Sequence, residues 1–294
     1  MAQQRLLTIS DQRSVTPRLR WLTLYAPDLA RSVRAGQYLL IRCSEQGSYD
    51  PLLRRPLFVA AAEPALGQIG VLYEPSERGL VWLSRGRAGD TLDVIGPLGH
   101  PFELDGRTHS LLLVGAGPGL GALMLLAQQG AARGAVTLIV GAEDVALLPP
   151  PFLLPGEVEY QTVVGPATDL LAGQLAPGIA EDDKLTSRQA EKAKKRDMAV
   201  TPSSRHLVAP SPIAWADQVC AALPLTQLLA LRAAIERVKY RWERGFASAL
   251  LEGPLVCGVG ACGVCAVEMR RGTRMLCADG PVFDLRDVEL GAKG

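Results

Sequence analysis

No long block of one charge sign runs through this chain of 294 residues except in one stretch described below, and the formal net charge is only +1. That balance excludes the electrostatic footprint of a nucleic-acid binder or of a protein held on anionic lipid. A basic segment followed by an apolar one is also missing from the opening MAQQRLLTISDQR. A reducing cytoplasm is therefore expected, and structural disulfides are rare there. Only one run is long and free of charge, SLLLVGAGPGLGALMLLAQQ at 110–129. Its length approaches a bilayer's requirement, but its glycines and proline divide it into a buried strand, a turn and a helix, so no membrane span is expected. With 48% hydrophobic and 21% charged residues, what remains is a globular chain long enough for two or three domains.

Three parts can be read along the chain. Up to about residue 102, short apolar runs such as YLLIR (38–42), IGVLYE (69–74) and TLDVIG (91–96) are separated by turn signals, AGQ, EPALG, SERG and RAGD among them. Many short strands with such punctuation indicate an all-β barrel or sandwich. From 103 to about 235 the rhythm becomes strand, glycine turn, helix through Arg133, then the strand VTLIVGA (136–142). That is the βαβ pattern of a parallel sheet covered by helices. Residues 236–294 form a small cysteine-bearing module, which needs little core if a metal centre staples it. The charge-rich exception, EDDKLTSRQAEKAKKRDMAVTPSSR at 181–205, is expected to be a solvated surface excursion, with a docking surface for a partner subunit as the alternative.

The glycine turn contains Gly115, Gly117 and Gly119, and Gly117-x-Gly119-x-x-Ala122 matches the dinucleotide pattern between a strand and a helix. Glycines there let the backbone approach a pyrophosphate, whose charge meets the N–H groups of the helix N-terminus. Glu143 and Asp144, at the end of the next strand, are placed to accept a ribose 2′-hydroxyl and repel a 2′-phosphate, which would favour NAD over NADP. A tight turn with no ligand accounts for the same residues.

Four of the six cysteines fall in CGVGACGVCAVEMRRGTRMLC at 257–277. Cys257-x4-Cys262-x2-Cys265 followed by Cys277 reproduces the plant-type arrangement that ligates a [2Fe-2S] cluster. Gly258, Gly260 and Gly263 lie inside the loop, where small residues allow backbone N–H groups to face the sulfurs. Zinc is the rival. Structural zinc sites more often use two short C-x2-C knuckles, whereas here there is one, with no histidine near it. Cys43 and Cys220 lie far away and read as small buried residues.

Taken in order, AGQYLLIR, LLRRPLFVA, GDTLDVIGPLGHPFEL, GAGPGLGAL and CGVGACGVC resemble the ferredoxin-reductase-like electron-transfer subunits of dihydroorotate dehydrogenase over almost the whole chain. The resemblance implies a multidomain protein: a β-barrel holding FAD (1–102), an α/β parallel-sheet domain binding NAD (103–235), and a small [2Fe-2S] module (236–294). It also implies a catalytic dehydrogenase partner containing FMN, in a heterotetramer. This chain would then be the oxidoreductase subunit that carries electrons to NAD without acting on the organic substrate.

Carried over by position, Arg55-Pro56-Leu57-Phe58 matches the R-P-x-S flavin motif, Leu72-Tyr73-Glu74 a strand flanking the flavin, and Gly79-Leu80 a G-T step at its phosphates. An always-charged planar guanidinium suits a diphosphate. Phe58 and Leu80 replace hydroxyl residues, which removes two hydrogen bonds at about 1 kcal/mol each. Cys220-Ala221-Ala222 stands where the family has C-G-P, and the segment 160–171 lacks an acidic run. Two other readings therefore stand beside the first: an electron-transfer subunit of a different oxidoreductase, and a non-enzymatic cluster carrier that has lost flavin or nucleotide.

Overall fold

In the computed structural model of the chain, residues 3–45, 47–171 and 211–288 are described, and the charged stretch at 181–205 lies outside them. The N-terminal strands β1 (Gln3–Ser14), β2 (Arg20–Tyr25), β3 (Tyr38–Ile41), β4 (Arg55–Glu63), β5 (Gln68–Tyr73) and β6 (Thr91–Leu98) close into a barrel in the order β1-β2-β5-β4-β3-β6. Period-two burial in β6 turns Leu92, Val94, Gly96 and Leu98 inward while Thr91, Asp93, Ile95 and Pro97 are more exposed. The ring closes where Thr8 pairs with Thr91 and Gln3 with Gly96. Two six-residue helices interrupt the barrel, α1 (Pro27–Ser32) and α2 (Arg78–Leu83).

A second sheet follows, in the order β14-β11-β10-β7-β8-β9. Its strands are β7 (Ser110–Gly115), β8 (Ala135–Ala142), β9 (Val158–Val164), β10 (Gln218–Ala222), β11 (Ala247–Leu250) and, at the edge, β14 (Val282–Asp284). β7, β8, β9, β10 and β11 are parallel, and β14 runs antiparallel to β11. The continuous burial of Leu111 to Gly115 follows from helices covering both faces of a parallel sheet. Those helices are α3 (Leu120–Ala131), the short α4 (Pro212–Trp215) and α5 (Leu225–Val238). The uncharged stretch at 110–129 thus becomes β7, a turn and most of α3, and among the described residues no helix is long and apolar enough to cross a membrane. α3 ends at Ala131, two residues short of the expected Arg133.

Barrel and sheet share one hydrophobic core, with a second small cluster (Leu19, Trp21, Ala60, Leu72 and Met124) where α3 meets the barrel. The α3 side chain of Gln128 reads the edge of β4 like a further strand: its Nε2 donates to Ala62 O at 2.9 Å and its Oε1 accepts from Ala62 N at 3.1 Å. The hairpin β12 (Ala266–Met269) and β13 (Gly272–Met275) is separate from both sheets. The cysteine loop therefore hangs between β11 and that hairpin, with β14 returning the chain to the sheet.

Candidate cofactor site

The loop from Cys257 to Cys265 bends through Gly258, Gly260 and Gly263, all in the left-handed region at φ +74°, +76° and +72°. Side-chain-bearing residues rarely adopt that conformation, so glycine is what allows the loop to curl around its own thiols. Cys265 and Cys277 are buried with their Sγ atoms 3.3 Å apart, too long for a disulfide. Gly260 N donates to Cys277 Sγ at 3.1 Å. Cys257 receives the backbone N–H of Val259, then that of Cys262, and its thiol also pairs with the exposed thiol of Cys262; together these donors hold Cys257 low, at about 6. Burial, next to Cys265, instead pushes Cys277 up to about 12.

Among the described residues, no three His, Cys, Asp or Glu side chains converge on one point as a mononuclear site requires. The thiols form two pairs instead, 257 with 262 and 265 with 277. Tetrahedral zinc needs all four ligands around one centre, whereas a dinuclear cluster needs two per iron, with N–H donors facing the sulfurs. The four thiols and the backbone donors around them fit a [2Fe-2S] cluster.

The flavin motif lies on β4, where Pro56, Leu57 and Phe58 pair with Leu40, Leu39 and Tyr38 of β3. Arg55 lies against Glu77 and donates from Nη1 to Leu53 O at 2.7 Å. It is the buried Nε that faces the Glu77 carboxylate, so this nitrogen already meets an anion of the chain. A Cβ on Gly79 would stand 3.0 Å from that Nε and 3.2 Å from Cys43 Cβ, so the Gly79-Leu80 step runs directly over the arginine. Next to it, Tyr73 on β5 carries a buried hydroxyl that has no partner among the described residues, and burial raises its pKa. The unpartnered Tyr73 hydroxyl and the Arg55 guanidinium fit the ribityl and phosphate end of a flavin nucleotide, which would compete with Glu77 for the cation. Phe58 and Leu80 add packing but no hydroxyl. Leu72 is buried in the small cluster with Trp21, and Glu74 turns away to Arg18, 2.6 Å from its guanidinium. Cys43, read from sequence as a small buried residue, sits under this site with its thiol pushed up to about 12 by burial.

The glycine turn already holds an anion from within the chain. Gly119 N donates to Glu252 Oε1 at 3.1 Å, and a Cβ on Gly117 would stand 3.1 Å from the same oxygen. Burial raises the pKa of Glu252, offset in part by the Gly119 N–H. Gly115 is the last residue of β7 and packs against Leu120 and Leu123. A Cβ on Gly119 would meet Ala222, the last residue of the Cys220-Ala221-Ala222 strand, at 3.0 Å. The carboxylates at the end of β8 are engaged as well: Arg18 Nη1 lies 3.6 Å from Glu143 and 3.5 Å from Asp144, and Asp144 accepts Ala146 N at 2.9 Å. Sequence reading missed Glu252 and Arg18, because each acts across more than a hundred residues of chain.

A closed six-stranded barrel packed on a parallel sheet, with a C-terminal loop of paired thiols, defines a ferredoxin-reductase-like protein with an iron-sulfur module. The fold matches a chain in the structure of NADH-dependent reduced ferredoxin-NADP oxidoreductase, with a TM-score of 0.68 at 22% identity over 97% of this chain and 90% of that one. It also matches a siderophore utilization protein from T. fusca, with a TM-score of 0.53 at 17% identity over 84% of this chain and 92% of that one. Residues 252–289 match the family model described as the iron-sulfur cluster binding domain of dihydroorotate dehydrogenase B. Over 297 residues the chain is 32% identical to the dihydroorotate dehydrogenase B (NAD(+)) electron transfer subunit of Shouchella clausii, covering 98% of this chain and 99% of that one. The same subunit of Geobacillus thermodenitrificans is 30% identical, over 99% of this chain and 100% of that one. The chain belongs to the family of dihydroorotate dehydrogenase B electron transfer subunits, as its motifs led one to expect.

Proposed function

We propose that this chain is the subunit that links a dihydroorotate-oxidising partner to NAD, holding a [2Fe-2S] cluster at Cys257, Cys262, Cys265 and Cys277 and FAD beside Arg55. The cluster and the flavin, when bound, supply one-electron and one- or two-electron chemistry respectively, which is what joining a hydride carrier to single-electron transfer requires. The chain's own contribution is placement. Paired thiols and the N–H donors at Val259, Gly260 and Cys262 fix the cluster charge, Arg55 meets the flavin phosphates, and the glycine turn at 115–119 faces the nucleotide. In this reading the barrel (1–102), the sheet (103–235) and the cysteine module (236–294) are the flavin, nucleotide and cluster units. The module is joined to the nucleotide unit by β11 and β14. A catalytic subunit carrying FMN, a heterotetrameric assembly and a cytoplasmic setting complete the proposal.

The observation that carries this reading is the two-plus-two arrangement of thiols in a glycine loop packed on the barrel strands next to the flavin motif. A Cβ on Gly258 would lie 2.8 Å from Leu98 and 3.2 Å from Leu40. Protein purified without oxygen should contain two irons, two sulfides and one FAD per chain, and should bring down a partner that reduces NAD with dihydroorotate. A cluster without flavin, or a partner inert to dihydroorotate, would refute it. Glu252 in the glycine turn favours a second reading, a cluster and flavin carrier that no longer uses NAD. That reading predicts that NADH leaves both chromophores oxidised.

A further inference from the structure

Arg18 stands where the barrel meets the parallel sheet. It lies in the turn between β1 and β2, yet its guanidinium reaches the carboxylates that follow β8, with Nη1 3.6 Å from Glu143 and 3.5 Å from Asp144. A second contact stitches the same turn to the same place, Thr16 Oγ1 donating to Ala146 O. β7 and β8 are parallel neighbours with Gly115 opposite Val140, so these carboxylates lie one strand over from the glycine turn, on the same edge of the sheet. That edge is where a doubly wound sheet takes the adenosine ribose of a dinucleotide. A carboxylate there accepts the 2′-hydroxyl of NAD, whereas an arginine accommodates the 2′-phosphate of NADP. Both kinds of side chain are present, and they call for opposite nucleotides.

Glu74 resolves the conflict. Its Oε1 accepts from Arg18 Nε at 2.8 Å and from Nη2 at 2.6 Å, which closes the side of the guanidinium that could grip a phosphate with two parallel N–H groups. The grip belongs to the barrel: β2 and β5 pair Arg20 with Tyr73, so Arg18 and Glu74 meet just past the ends of both strands. Only Nη1 is left toward the sheet, and it is bonded tightly to neither carboxylate there. Asp144 is fixed in place because its Oδ1 accepts Ala146 N at 2.9 Å. Glu143 has a side chain 77% exposed, which leaves it available to a ribose hydroxyl. One cation among three carboxylates keeps the group net negative, and such a group repels a 2′-phosphate.

We infer that Glu74 and Arg18 form a coenzyme-selectivity pair supplied by the barrel. By holding the guanidinium side-on, Glu74 keeps Arg18 from a 2′-phosphate and leaves Glu143 to take the 2′-hydroxyl, which selects NAD over NADP. The inference rests on the proposed function, since it requires a nucleotide on the sheet. It gives Glu74 a role different from the flavin-flanking one suggested by its place in the sequence.

The test is a calorimetric titration of the full chain, loaded with flavin and cluster, using two redox-inert probes, ADP-ribose and its 2′-phosphate. The readout is the ratio of their dissociation constants, which a mere loss of stability does not move. Glu74→Ala should improve the relative affinity for the 2′-phosphate about tenfold, the low end of what one charge-assisted hydrogen bond contributes. Glu74→Gln, which keeps an acceptor but no charge, should move the ratio the same way by less. In an Arg18→Gln background the effect of Glu74→Ala should shrink to about twofold at most, because the gain needs the guanidinium. An equal gain with and without Arg18 would mean that net charge alone sets the choice, and it overturns the inference, as does an unchanged ratio in Glu74→Ala. Should Glu74→Ala not fold, the same cycle is run with Glu74→Gln and judged by the same outcomes. If neither probe binds the unsubstituted protein, the nucleotide half of the proposed function fails and the inference with it; binding of ADP-ribose with a ratio that Glu74 does not control refutes the inference alone.

Discussion

Replacing Glu252 should tighten nucleotide binding, and the size of the effect follows from one hydrogen bond. A pyrophosphate oxygen drawn to the first turn of α3 needs the Gly119 N–H, and that donor is held at 3.1 Å by Glu252 Oε1. Two anions cannot share the donor, so a bound nucleotide must displace a charge-assisted hydrogen bond whose net contribution is about 1.5–3 kcal/mol. At 1.4 kcal/mol per tenfold, Glu252→Ala should lower the NADH dissociation constant roughly ten- to a hundredfold. Glu252→Gln keeps the shape and an acceptor but removes the charge, so it should give part of that gain. Burial raises the Glu252 pKa, so protonation sets in at a higher pH than for a free glutamate and removes the repulsion. Nucleotide affinity of the unsubstituted protein should therefore rise as pH falls through that raised value, and the slope should vanish in Glu252→Gln. The sign for folding is the same: the group's folded-state pKa lies above its unfolded one, so its contribution to stability is fully present at low pH and is lost as pH rises through the folded value. The assay is a fluorescence titration of the flavin- and cluster-loaded protein with NADH at several pH values. Unchanged or weaker binding in both variants would show that the nucleotide does not use the Gly119 donor.

Three further outcomes follow from the site. Cys262→Ser removes a ligand from the exposed end of the loop, so the visible cluster absorbance and about two irons per chain should be lost while FAD remains bound, as read by absorbance and iron assay. Arg55→Ala removes the guanidinium that lies against the Gly79 step and should weaken FAD by about 1.5–3 kcal/mol, a ten- to hundredfold rise in its dissociation constant by equilibrium dialysis, with the cluster retained. Gly258→Ala introduces a Cβ in the left-handed region 2.8 Å from Leu98, so it should cost about 1–2 kcal/mol and lower both melting temperature and iron content.

What the sequence made legible was local. The cysteine spacing is a property of one loop, the buried strand and glycine turn before α3 lie within a dozen residues, and the alternation in β6 is visible in TLDVIGPL itself. The six-residue helices α1 and α2 were not, because fewer than two turns cannot display a 3.6-residue period. Long-range pairing was hidden for a different reason. Glu143 and Asp144 read as free carboxylates for a ribose, yet Arg18, in the turn between β1 and β2, lies beside both, and nothing near residue 144 announces a partner 126 positions earlier. Glu252 reached the glycine turn from 133 residues away in the same fashion. The orphaned hydroxyls of Tyr38 and Tyr73 are likewise invisible in sequence, because an unmet donor is defined by what surrounds it in space.

The pairing of Leu250 with Val282 across β11 and β14 has a consequence for how the cysteine segment is held. It clamps the two ends of the stretch that bears all four ligands, and it does so with backbone hydrogen bonds between strands. In a zinc finger the metal is the chief tie between the ends of the chain. Here the ends are tied to the sheet by a second, independent means, so loss of the cluster should loosen the loop first while β11 and β14 stay paired.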